Sequence, residues 1–411
     1  MTDVSTLREI ISDGDWYLSV EEALVERDLA SMMLDRARYD VVEVVTGVRR
    51  AGKSKLMLWV GRKLKKSGRN VYYINFEDDR IDPDKGDFQK INSIIRMANT
   101  VILVDEPQNM PGWEKWARRL HERGVKVYVT GSNSKLLGTE LATALAGRKK
   151  QHEIFPFSFG EYMRARDIAK LPRDQMYNVL EEYMRAGGYP YPTVSGDYSI
   201  LEDYRRDIVE RDVVMRHRIR EVDVLRGLAR FVLSNPGLYV SMRAVKGFLD
   251  ISHVTLRKYL EYFCEAYAVI PLEKFSYSHK ERILNPRKFY PIDNGLLIRK
   301  VDAGRLLESI IVQHIRRYTS NIFYWRDYRG REVDIYLPDS RLAIQVVYEL
   351  GPDNVKREEK PLEQASSQLG ARPLIIYLYK NVESVYDTMN AVDFLLKPET
   401  IVSDFVQNLK S

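Results

Sequence analysis

A run of β-branched residues that leads straight into a glycine loop constrains the fold of this chain most. Residues 41–46, Val-Val-Glu-Val-Val-Thr, predict a buried strand. Apolar residues then recur at helical spacing at Leu56, Val60 and Leu64. The loop that joins these segments is Gly47-Val48-Arg49-Arg50-Ala51-Gly52-Lys53-Ser54. The sequence therefore predicts a strand, a loop and a helix in immediate succession.

The loop fits the pattern G-x-x-x-x-G-K-[ST], and its context favours phosphate binding. Its backbone N–H groups and the N-terminus of the following helix are expected to converge on one point. Lys53 is predicted to place its ammonium between the β- and γ-phosphates, and the Ser54 hydroxyl to be a ligand of Mg²⁺. Arg49 and Arg50 are unusual in such a loop and indicate phosphate contact or an interface. The predicted nucleotide-binding residues here are Gly47, Val48, Arg49, Arg50, Ala51, Gly52, Lys53, Ser54 and Lys55.

Two carboxylates at the end of another strand support this site independently. The apolar run 101–104 ends in Asp105 and Glu106, at the edge where ligands bind in parallel α/β sheets. Asp105 is predicted to hold Mg²⁺ through water, and Glu106 to polarise the attacking water as a general base. A predicted strand over 72–76 lies between the two motifs in sequence. This order suits the P-loop branch that uses a catalytic glutamate.

The alternation of strands and helices changes after about residue 158. Together with helix-length segments between them, the early strands imply a parallel, doubly wound α/β sheet. These strands are predicted at 41–46, 70–76, 100–104 and 125–130. Helical pattern then dominates to about residue 220, and β pattern returns beyond Phe289. No apolar run approaches the roughly 20 residues that span a bilayer, and a cytoplasmic protein is expected.

Eight motifs along the chain form a further pattern. They are the glycine loop, Tyr73-Ile74-Asn75-Phe76-Glu77-Asp78, Val104-Asp105-Glu106, Thr130-Gly131-Ser132, Leu145-Ala146-Gly147-Arg148, Pro156-Phe157-Ser158-Phe159, Gly187-Gly188-Tyr189-Pro190 and Glu332-Val333-Asp334. Together they resemble the bacterial and archaeal AAA+-type ATPases that carry a C-terminal domain of unknown function with a nuclease-like core. The resemblance covers nearly the whole chain and implies binding and hydrolysis of ATP, but it supplies no substrate.

The pattern and the resemblance together predict four parts of the chain. A P-loop ATPase domain of the AAA+/ASCE type, with a helical lead-in, is expected at 1–158. A helical lid is expected at 159–220 and a winged-helix-like domain at 221–288. A degenerate nuclease-like α/β domain of the restriction-endonuclease type is expected at 289–411.

By this resemblance, residues outside the glycine loop are expected to act on the γ-phosphate. In AAA+ ATPases a polar side chain after the strand that corresponds to 127–130 is the first sensor. Asn133 is predicted to fill this role, with Ser132 as the second choice; an ordinary loop is the alternative. Arg148 is predicted to reach the γ-phosphate of a neighbouring subunit as an arginine finger in a homo-oligomer. A surface arginine is the alternative there.

Basic residues concentrate in the middle of the chain. The net charge is +6, yet residues 205–300 alone hold 19 Lys and Arg against 11 Asp and Glu. Such an excess is the electrostatic footprint of a surface that binds DNA phosphates. Within it, residues 241–260 are similar to the helix-turn-helix of winged-helix domains, whose second helix enters the major groove. Packing or assembly is the alternative, which Glu261 and Glu265 favour. The predicted DNA contacts are Ser252, His253, Thr255, Arg257 and Lys258.

The C-terminal segment resembles PD-(D/E)xK nucleases but departs from them twice. Glu308 on a predicted helix, with Glu332 and Asp334 on a predicted strand, matches the layout in which carboxylates bind Mg²⁺. Gln345 stands where the second carboxylate is expected, and Val347 where the lysine is expected. Neutral glutamine weakens a metal site and valine cannot assist the attack. The sequence therefore predicts a degenerate site in a fold retained for binding or packing.

The leading hypothesis is an ATPase that uses ATP and Mg²⁺ and couples its nucleotide state to DNA binding. A rival hypothesis is a nucleotide-switched regulatory module whose C-terminal parts bind other proteins. A third is a nuclease controlled by ATP. DNA stimulation of ATP turnover separates the first two, and metal-dependent nicking of DNA would favour the third.

Overall fold

The computed structural model describes residues 3–20, 22–38, 40–82, 88–131 and 144–398. The chain divides into two compact units, Met1–Phe155 and Pro156–Ser411, and this boundary is close to the one predicted at residue 158. The segments predicted at 159–220, 221–288 and 289–411 all fall within the second unit. None of the helices in the described ranges is both long and apolar enough to cross a membrane.

The first unit alternates helices with short strands. Its helices are α1 Val4–Ser19, α2 Asp28–Asp35, α3 Lys53–Lys66, α4 Phe88–Ile94 and α5 Trp113–Glu122. Its strands are β1 Val42–Thr46, β2 Asn70–Asn75, β3 Thr100–Asp105, β4 Lys126–Gly131 and β5 Lys149–Glu153. Strands β1, β3 and β4 are buried along their whole length, as apolar strands covered on both faces are.

In the described part of the first unit, five strands form one parallel sheet in the order β2-β3-β4-β1-β5. The predicted parallel α/β sheet is therefore confirmed. Strand β2 lies between the two motifs in sequence but at the edge of the sheet, whereas β4 separates β1 from β3 in space. Because all these strands run the same way, the carboxyl ends of β1 and β3 meet at one edge.

Helix α5 shows how the core of the first unit is built. Trp113, Trp116, Ala117 and Leu120 recur at helical spacing and are buried. They pack with strand residues in one apolar cluster, where the rings of Trp116 and Phe88 stack with centroids 4.9 Å apart. The core thus fixes the strands from the side while their carboxyl ends stay available for polar residues.

The second unit begins with helices and continues with mixed structure. Its helices are α6 Phe159–Ala165, α7 Arg173–Ala186, α8 Pro190–Ser195, α9 Ile200–Asp207, α10 Val222–Ser234, α11 Met242–Val245, α12 His253–Glu265, α13 His279–Leu284, α14 Ala303–Arg316, α15 Val355–Leu369 and α16 Ala391–Leu396, with a π-helix at Ile208–Met215. Its strands are β6 Tyr239–Val240, β7 Val269–Lys274, β8 Arg287–Pro291, β9 Phe323–Arg326, β10 Glu332–Leu337, β11 Leu342–Leu350, β12 Arg372–Lys380 and β13 Asp387–Asn390.

Within the described residues of this unit, eight strands share one sheet in the order β13-β12-β11-β10-β9-β7-β8-β6. Strands β6, β8 and β7 pair antiparallel, and β7 joins β9 in parallel through Glu273 and Lys274. Strands β9, β10 and β11 are antiparallel, and β11, β12 and β13 are parallel. The segments predicted at 221–288 and 289–411 are therefore connected by main-chain pairing.

Two motifs of the second unit have buried packing roles. The Phe157 N–H donates to the Gly188 carbonyl at 2.6 Å, and the Gly188 N–H donates to Asp293 at 2.8 Å. The Phe159 N–H donates to Nε2 of His314 at 3.1 Å, while Nδ1 of that ring donates to the Ile310 carbonyl at 2.7 Å. Residues 156–159 and 187–190 thus hold neighbouring helices and loops together by hydrogen bonds. Buried backbone N–H and C=O groups need such partners.

The imidazole of His314 is held neutral, since it must both donate and accept. Burial, together with the nearby Arg317 guanidinium, lowers the pKa of His314 to about 3. The unfolded chain has an ordinary histidine pKa of about 6.5. A depressed folded-state pKa contributes stability that is present above pH ~6.5 and is lost as the pH falls toward about 3.

We expect His314→Gln to reduce this pH dependence. The variant loses part of its stability at pH ~7.5, but its unfolding free energy should fall less steeply below pH ~6.5, by up to about 1.4 kcal/mol per pH unit. Urea unfolding of both proteins from pH ~7.5 to ~4.5 measures the difference. His279→Gln, at an exposed position, is the matched control. Equal slopes for wild type and His314→Gln would contradict the assignment.

Candidate active site

The glycine loop runs from the end of β1 to the start of α3 and lies close to its neighbours. A Cβ on Gly47 would stand 2.1 Å from the Ile154 carbonyl oxygen, so only glycine fits there. Arg27 is buried and donates to the Ala51 carbonyl at 2.8 Å and to the Phe155 carbonyl at 2.6 Å. This arginine fastens the loop to the end of the sheet. It belongs to no motif, and sequence reasoning missed it.

Lys53 begins α3 and turns back into the loop. It is only 6% exposed, and its ammonium donates to the carbonyls of Gly47 at 3.1 Å and Val48 at 3.0 Å. The positive charge therefore lies inside the loop, at the N-terminus of a helix. That arrangement attracts phosphate through both the ammonium and the helix dipole.

Asp105 ends β3 and is almost fully buried. The Tyr73 hydroxyl on β2 donates to its Oδ2 at 2.7 Å, and the Thr130 hydroxyl on β4 donates to its Oδ1. Burial and the Asp105 carboxylate raise the pKa of Tyr73. The nearby Ser54 side chain favours a lower pKa for Tyr73, but it is the smaller influence. Tyr73 thus interacts with both predicted metal ligands, Ser54 and Asp105.

These residues fit a magnesium ion. Ser54 and Asp105 both offer oxygen, and both side chains interact with Tyr73. Mg²⁺ prefers oxygen ligands and is usually held by one or two protein groups together with substrate phosphates. Ser54 and Asp105 are therefore the residues that would hold it.

Glu106 follows Asp105 in a left-handed backbone conformation, with φ of 48°. Its N–H donates to the Thr130 carbonyl at 3.2 Å, and the Gln108 side chain donates to its Oε2. Burial raises the pKa of Glu106, although the Lys53 charge and the Gln108 hydrogen bond oppose the shift. A carboxylate whose pKa moves toward neutrality is suited to accept a proton.

Sequence reasoning missed Tyr73, Thr130 and Gln108. The first two stand in motifs that carry the family resemblance, Tyr73 in 73–78 and Thr130 in 130–132, so a signal was present. Their partner was not evident, because Asp105 lies 32 residues from Tyr73 and 25 from Thr130. Gln108 has no comparable sequence signal.

Other predicted residues of the first unit lie elsewhere. The Lys55 ammonium pairs with Glu22, at 2.7 Å from Oε1. Arg148 pairs with Glu122 at 3.0 Å, and its carbonyl accepts from Val42 at the start of β1, which is the strand end opposite the loop. Arg49 and Arg50 lie on the loop, Arg49 partly buried and Arg50 exposed. Ser132 and Asn133 lie outside the described residues.

The predicted DNA contacts lie on or next to α12 in the second unit. Ser252 caps this helix by accepting from the Thr255 N–H at 3.1 Å, and the two hydroxyls are 2.8 Å apart. His253, Arg257 and Lys258 are exposed. Ser252 and Thr255 thus hold the helix start, while the other three form part of its exposed face.

Lys288 joins the predicted carboxylates of the degenerate nuclease site. From β8 its ammonium lies 2.5 Å from Oε1 of Glu332 and 3.4 Å from Oε1 of Glu308. Burial, followed by the Glu308 charge, raises the pKa of Asp334. Among the described side chains, no group of three or more His, Cys, Asp or Glu is arranged to hold a metal. The positive charge beside Glu308 and Glu332 is Lys288, which sequence reasoning missed.

Gln345 does not join this group. Its amide donates to Glu358 on α15 at 3.0 Å. Side chains two apart on a strand share a face, and its neighbours Ala343 and Val347 pack in the apolar cluster that contains Leu362 of α15. Grouping Gln345 with Glu308, Glu332 and Asp334 was therefore wrong, because the strand directs it toward α15.

Comparison with known proteins agrees with the geometry of the first unit. Residues 40–163 match a family model described as an AAA domain. An uncharacterized protein of Methanocaldococcus jannaschii is 30% identical over 397 residues, which are 90% of this chain and 88% of that protein. The chain belongs to a family of AAA-domain P-loop ATPases. An uncharacterized protein of Haemophilus influenzae is 28% identical over 79% of this chain and 86% of its own length.

The second unit of this family matches less informative models. Residues 177–305 and 303–396 match two families described as domains of unknown function. Among solved structures, AMPPCP-bound DnaA from Aquifex aeolicus is similar with a TM-score of 0.33 and 12% identity, over 58% of this chain and 86% of that one.

We expect Tyr73→Phe to weaken the effect of Mg²⁺ on nucleotide affinity. The variant removes one hydrogen bond to the carboxylate of Asp105, so the Mg²⁺ concentration for half-maximal tightening should rise about tenfold. Nucleotide affinity without Mg²⁺ should stay unchanged. Titration of a fluorescent ADP over a Mg²⁺ series measures both. Tyr72→Phe removes a hydroxyl that accepts from the Arg96 N–H at 3.1 Å and is the control. Equal shifts in both variants would refute the assignment.

Proposed function

We propose that the first unit binds ATP and hydrolyses it to ADP and phosphate with the help of Mg²⁺. The observation that carries this proposal is the meeting of four groups at one sheet edge: Lys53 inside the loop, Ser54 beside it, and Asp105 and Glu106 at the end of β3. A structural loop alone has no need for a buried ammonium beside two buried carboxylates, since burying charge is costly without a purpose or a partner.

The loop and Lys53 bind the phosphates. The N–H groups at the start of α3 donate to phosphate oxygens, and the Lys53 ammonium exchanges its carbonyl partners for the β- and γ-phosphates. Ser54 and Asp105 would hold the metal, and Tyr73 and Thr130 keep the Asp105 carboxylate in one orientation. Mg²⁺, when bound, neutralises charge on the phosphate oxygens.

Glu106 acts as the general base. It accepts a proton from the attacking water, whose oxygen bonds to the γ-phosphorus while the bond from that phosphorus to the β,γ-bridging oxygen breaks. The bridging electron pair leaves with ADP. Burial, which raises the pKa of Glu106, supports this role because a stronger base takes the proton more readily.

We expect Lys53→Ala and Glu106→Gln to fail in different ways. Lys53→Ala should weaken ATP binding by roughly 10- to 100-fold, because it removes a charged donor to phosphate. Glu106→Gln should keep ATP binding and lower turnover by at least about 100-fold, because only the base is lost.

ATP titration and steady-state turnover of both variants measure this split. Glu9→Gln, an exposed substitution on α1, should leave both quantities unchanged. Turnover by Glu106→Gln at the wild-type rate would show that another group takes the proton.

We also propose the Arg148 finger and the first sensor. The Arg148 side chain lies at the strand end away from the loop of its own chain, which is compatible with action on a neighbouring subunit. Asn133 and Ser132 stay predictions. Thr130 is an additional polar residue of the same strand end, and its bond to Asp105 supports a positioning role.

We further propose that the second unit binds DNA through α12. The order of elements from α10 to β8 is helix, strand, helix, helix, strand, helix and strand, with β6, β8 and β7 antiparallel. Apart from the short helix α13 between β7 and β8, this order supports a winged-helix-like domain. One face of α12 presents His253, Arg257 and Lys258. Glu265 lies 3.4 Å from His217 and so has a partner within the unit, which weakens the argument that it repels phosphate.

Binding of another protein by this face is the second candidate function. Val254 is 75% exposed and Leu284 on α13 is 71% exposed. Val254 thus lies on the exposed side of α12, although it is apolar. Exposed apolar side chains among charged ones are typical of protein-binding surfaces as well.

We expect replacement of both Arg257 and Lys258 by alanine to weaken duplex DNA binding and flatten its salt dependence. Each phosphate contact releases counterions, so the slope of log affinity against log salt should fall by roughly one to two units. ATP binding should not change. Fluorescence anisotropy of a labelled duplex over a salt series measures the slope.

The matched control replaces Lys356 and Arg357, an exposed pair on α15, and removes the same charge. A slope that is unchanged in the α12 variant would favour the protein-binding function.

A further inference from the structure

The turn between β9 and β10 presents an unusual set of side chains. We name residues 326–331 the arginine hairpin; its sequence is Arg326-Asp327-Tyr328-Arg329-Gly330-Arg331. Three arginines and one tyrosine thus stand within six residues, outside every motif that carries the family resemblance. Tyr328 at the tip is 81% exposed, so most of its ring surface is open to solvent.

The backbone of the arginine hairpin is fixed by Asp327. Its buried carboxylate accepts from the N–H groups of Arg329 at 2.8 Å and Arg331 at 2.9 Å, and from Nε of Arg331 at 2.7 Å. Gly330 has a φ of +87°, a left-handed value that glycine adopts without strain. The turn therefore holds its shape by its own bonds, and a ligand would meet side chains already in place.

The positive charges of Arg326 and Arg329 exceed the negative charge within the hairpin. The Asp327 charge is matched by Arg331. The Arg329 guanidinium lies 5.2 Å from the centre of the Tyr328 ring, and the Arg326 guanidinium lies 5.5 Å from the centre of the Tyr239 ring. Each guanidinium is thus placed beside an aromatic face. The hairpin combines a stacking surface with excess positive charge.

The nearest carboxylate in sequence does not cancel this charge. Glu332 follows the hairpin directly but lies 2.5 Å from the Lys288 ammonium. Lys288 itself lies near the Tyr239 and Tyr324 rings. An anion that approaches Arg326 and Arg329 therefore meets a carboxylate that is already paired.

We propose that the arginine hairpin binds a single-stranded segment of nucleic acid, with an unpaired base stacked on Tyr328 and the adjoining phosphates on Arg326 and Arg329. Exposed aromatic rings beside basic groups bind single strands because every base has a face to stack and every linkage a charge. Bases within a duplex already stack on each other, so the exposed tyrosine selects unpaired ones. An acidic peptide would use the arginines but would gain little from the ring.

The hairpin is connected to the elements proposed to contact duplex DNA. Strand β9 pairs with β7, the Arg282 guanidinium of α13 lies 5.9 Å from the centre of the Phe323 ring, and Tyr239 of β6 contacts Arg326. This part of the inference rests on the proposed DNA contact of α12. It specifies the substrate class as DNA that contains both duplex and unpaired nucleotides.

The test uses the full chain and three probes at equal salt: a labelled 20-nucleotide oligothymidine, a labelled duplex of 20 base pairs and a labelled polyglutamate peptide. Tyr328→Ala should lower oligothymidine affinity about tenfold, whereas Tyr328→Phe, which keeps the ring, should retain it. Arg329→Ala should lower it and reduce the salt slope by about 0.7. Tyr191→Ala, at another exposed tyrosine of this unit, is the control.

The outcomes separate this inference from the proposed function. Oligothymidine affinity that depends on Tyr328, in a protein whose duplex affinity depends on Arg257 and Lys258, supports both. Duplex binding with an unchanged oligothymidine affinity in Tyr328→Ala overturns the inference alone. Oligothymidine binding through Tyr328 without duplex binding overturns the α12 proposal alone and keeps the hairpin. Loss of polyglutamate but not oligothymidine affinity in Arg329→Ala would assign the hairpin to an acidic protein instead.

Discussion

The buried carboxylate of Asp105 organises the edge of the sheet on which the rest of the first unit depends. A buried charge is tolerated only when hydrogen-bond partners surround it. Here the partners come from the strands on both sides, because parallel pairing places Asp105 beside Asn75 of β2 and Thr130 of β4. Tyr73 also interacts with Ser54 at the start of α3. The register of three strands is thus tied to a single side chain.

The sequence predicted this edge well, because its signals are local. Parallel strands buried on both faces appear as continuous apolar runs, and the helix over 53–66 begins at the lysine that the loop requires. That Asp105 and Glu106 lie near the loop follows from parallel strands ending at one edge. The contacts of Arg27, Tyr73 and Thr130 were not predictable in the same way. They join residues between 24 and 128 positions apart, and such pairs depend on strand order and register.

Sequence motifs and spacing were also limited guides to side-chain roles in the second unit. The motifs 156–159 and 187–190 carried the family resemblance, yet their described roles are buried hydrogen bonds to His314 and Asp293. A motif therefore indicates that a position is constrained, without saying whether chemistry or packing constrains it. Gln345 shows the opposite error: it stood at the expected spacing for a nuclease site, but the alternation of strand β11 directs it to Glu358. Spacing along one strand does not decide which face meets which helix.

Charge arithmetic on the sequence also needs the structure before it bears on DNA. The excess of Lys and Arg over Asp and Glu in residues 205–300 includes Lys288. Its ammonium pairs with Glu308 and Glu332, which lie outside that range and were not counted. Arg206 is likewise paired with Asp203. A Lys or Arg that is already paired with a carboxylate of the same chain does not release counterions from a phosphate backbone. The charges that remain effective are those on exposed faces, where α12 presents Arg257 and Lys258 and the arginine hairpin presents Arg326 and Arg329. The ion pairs in the structure therefore locate the basic surface better than a count of charged residues in the sequence does.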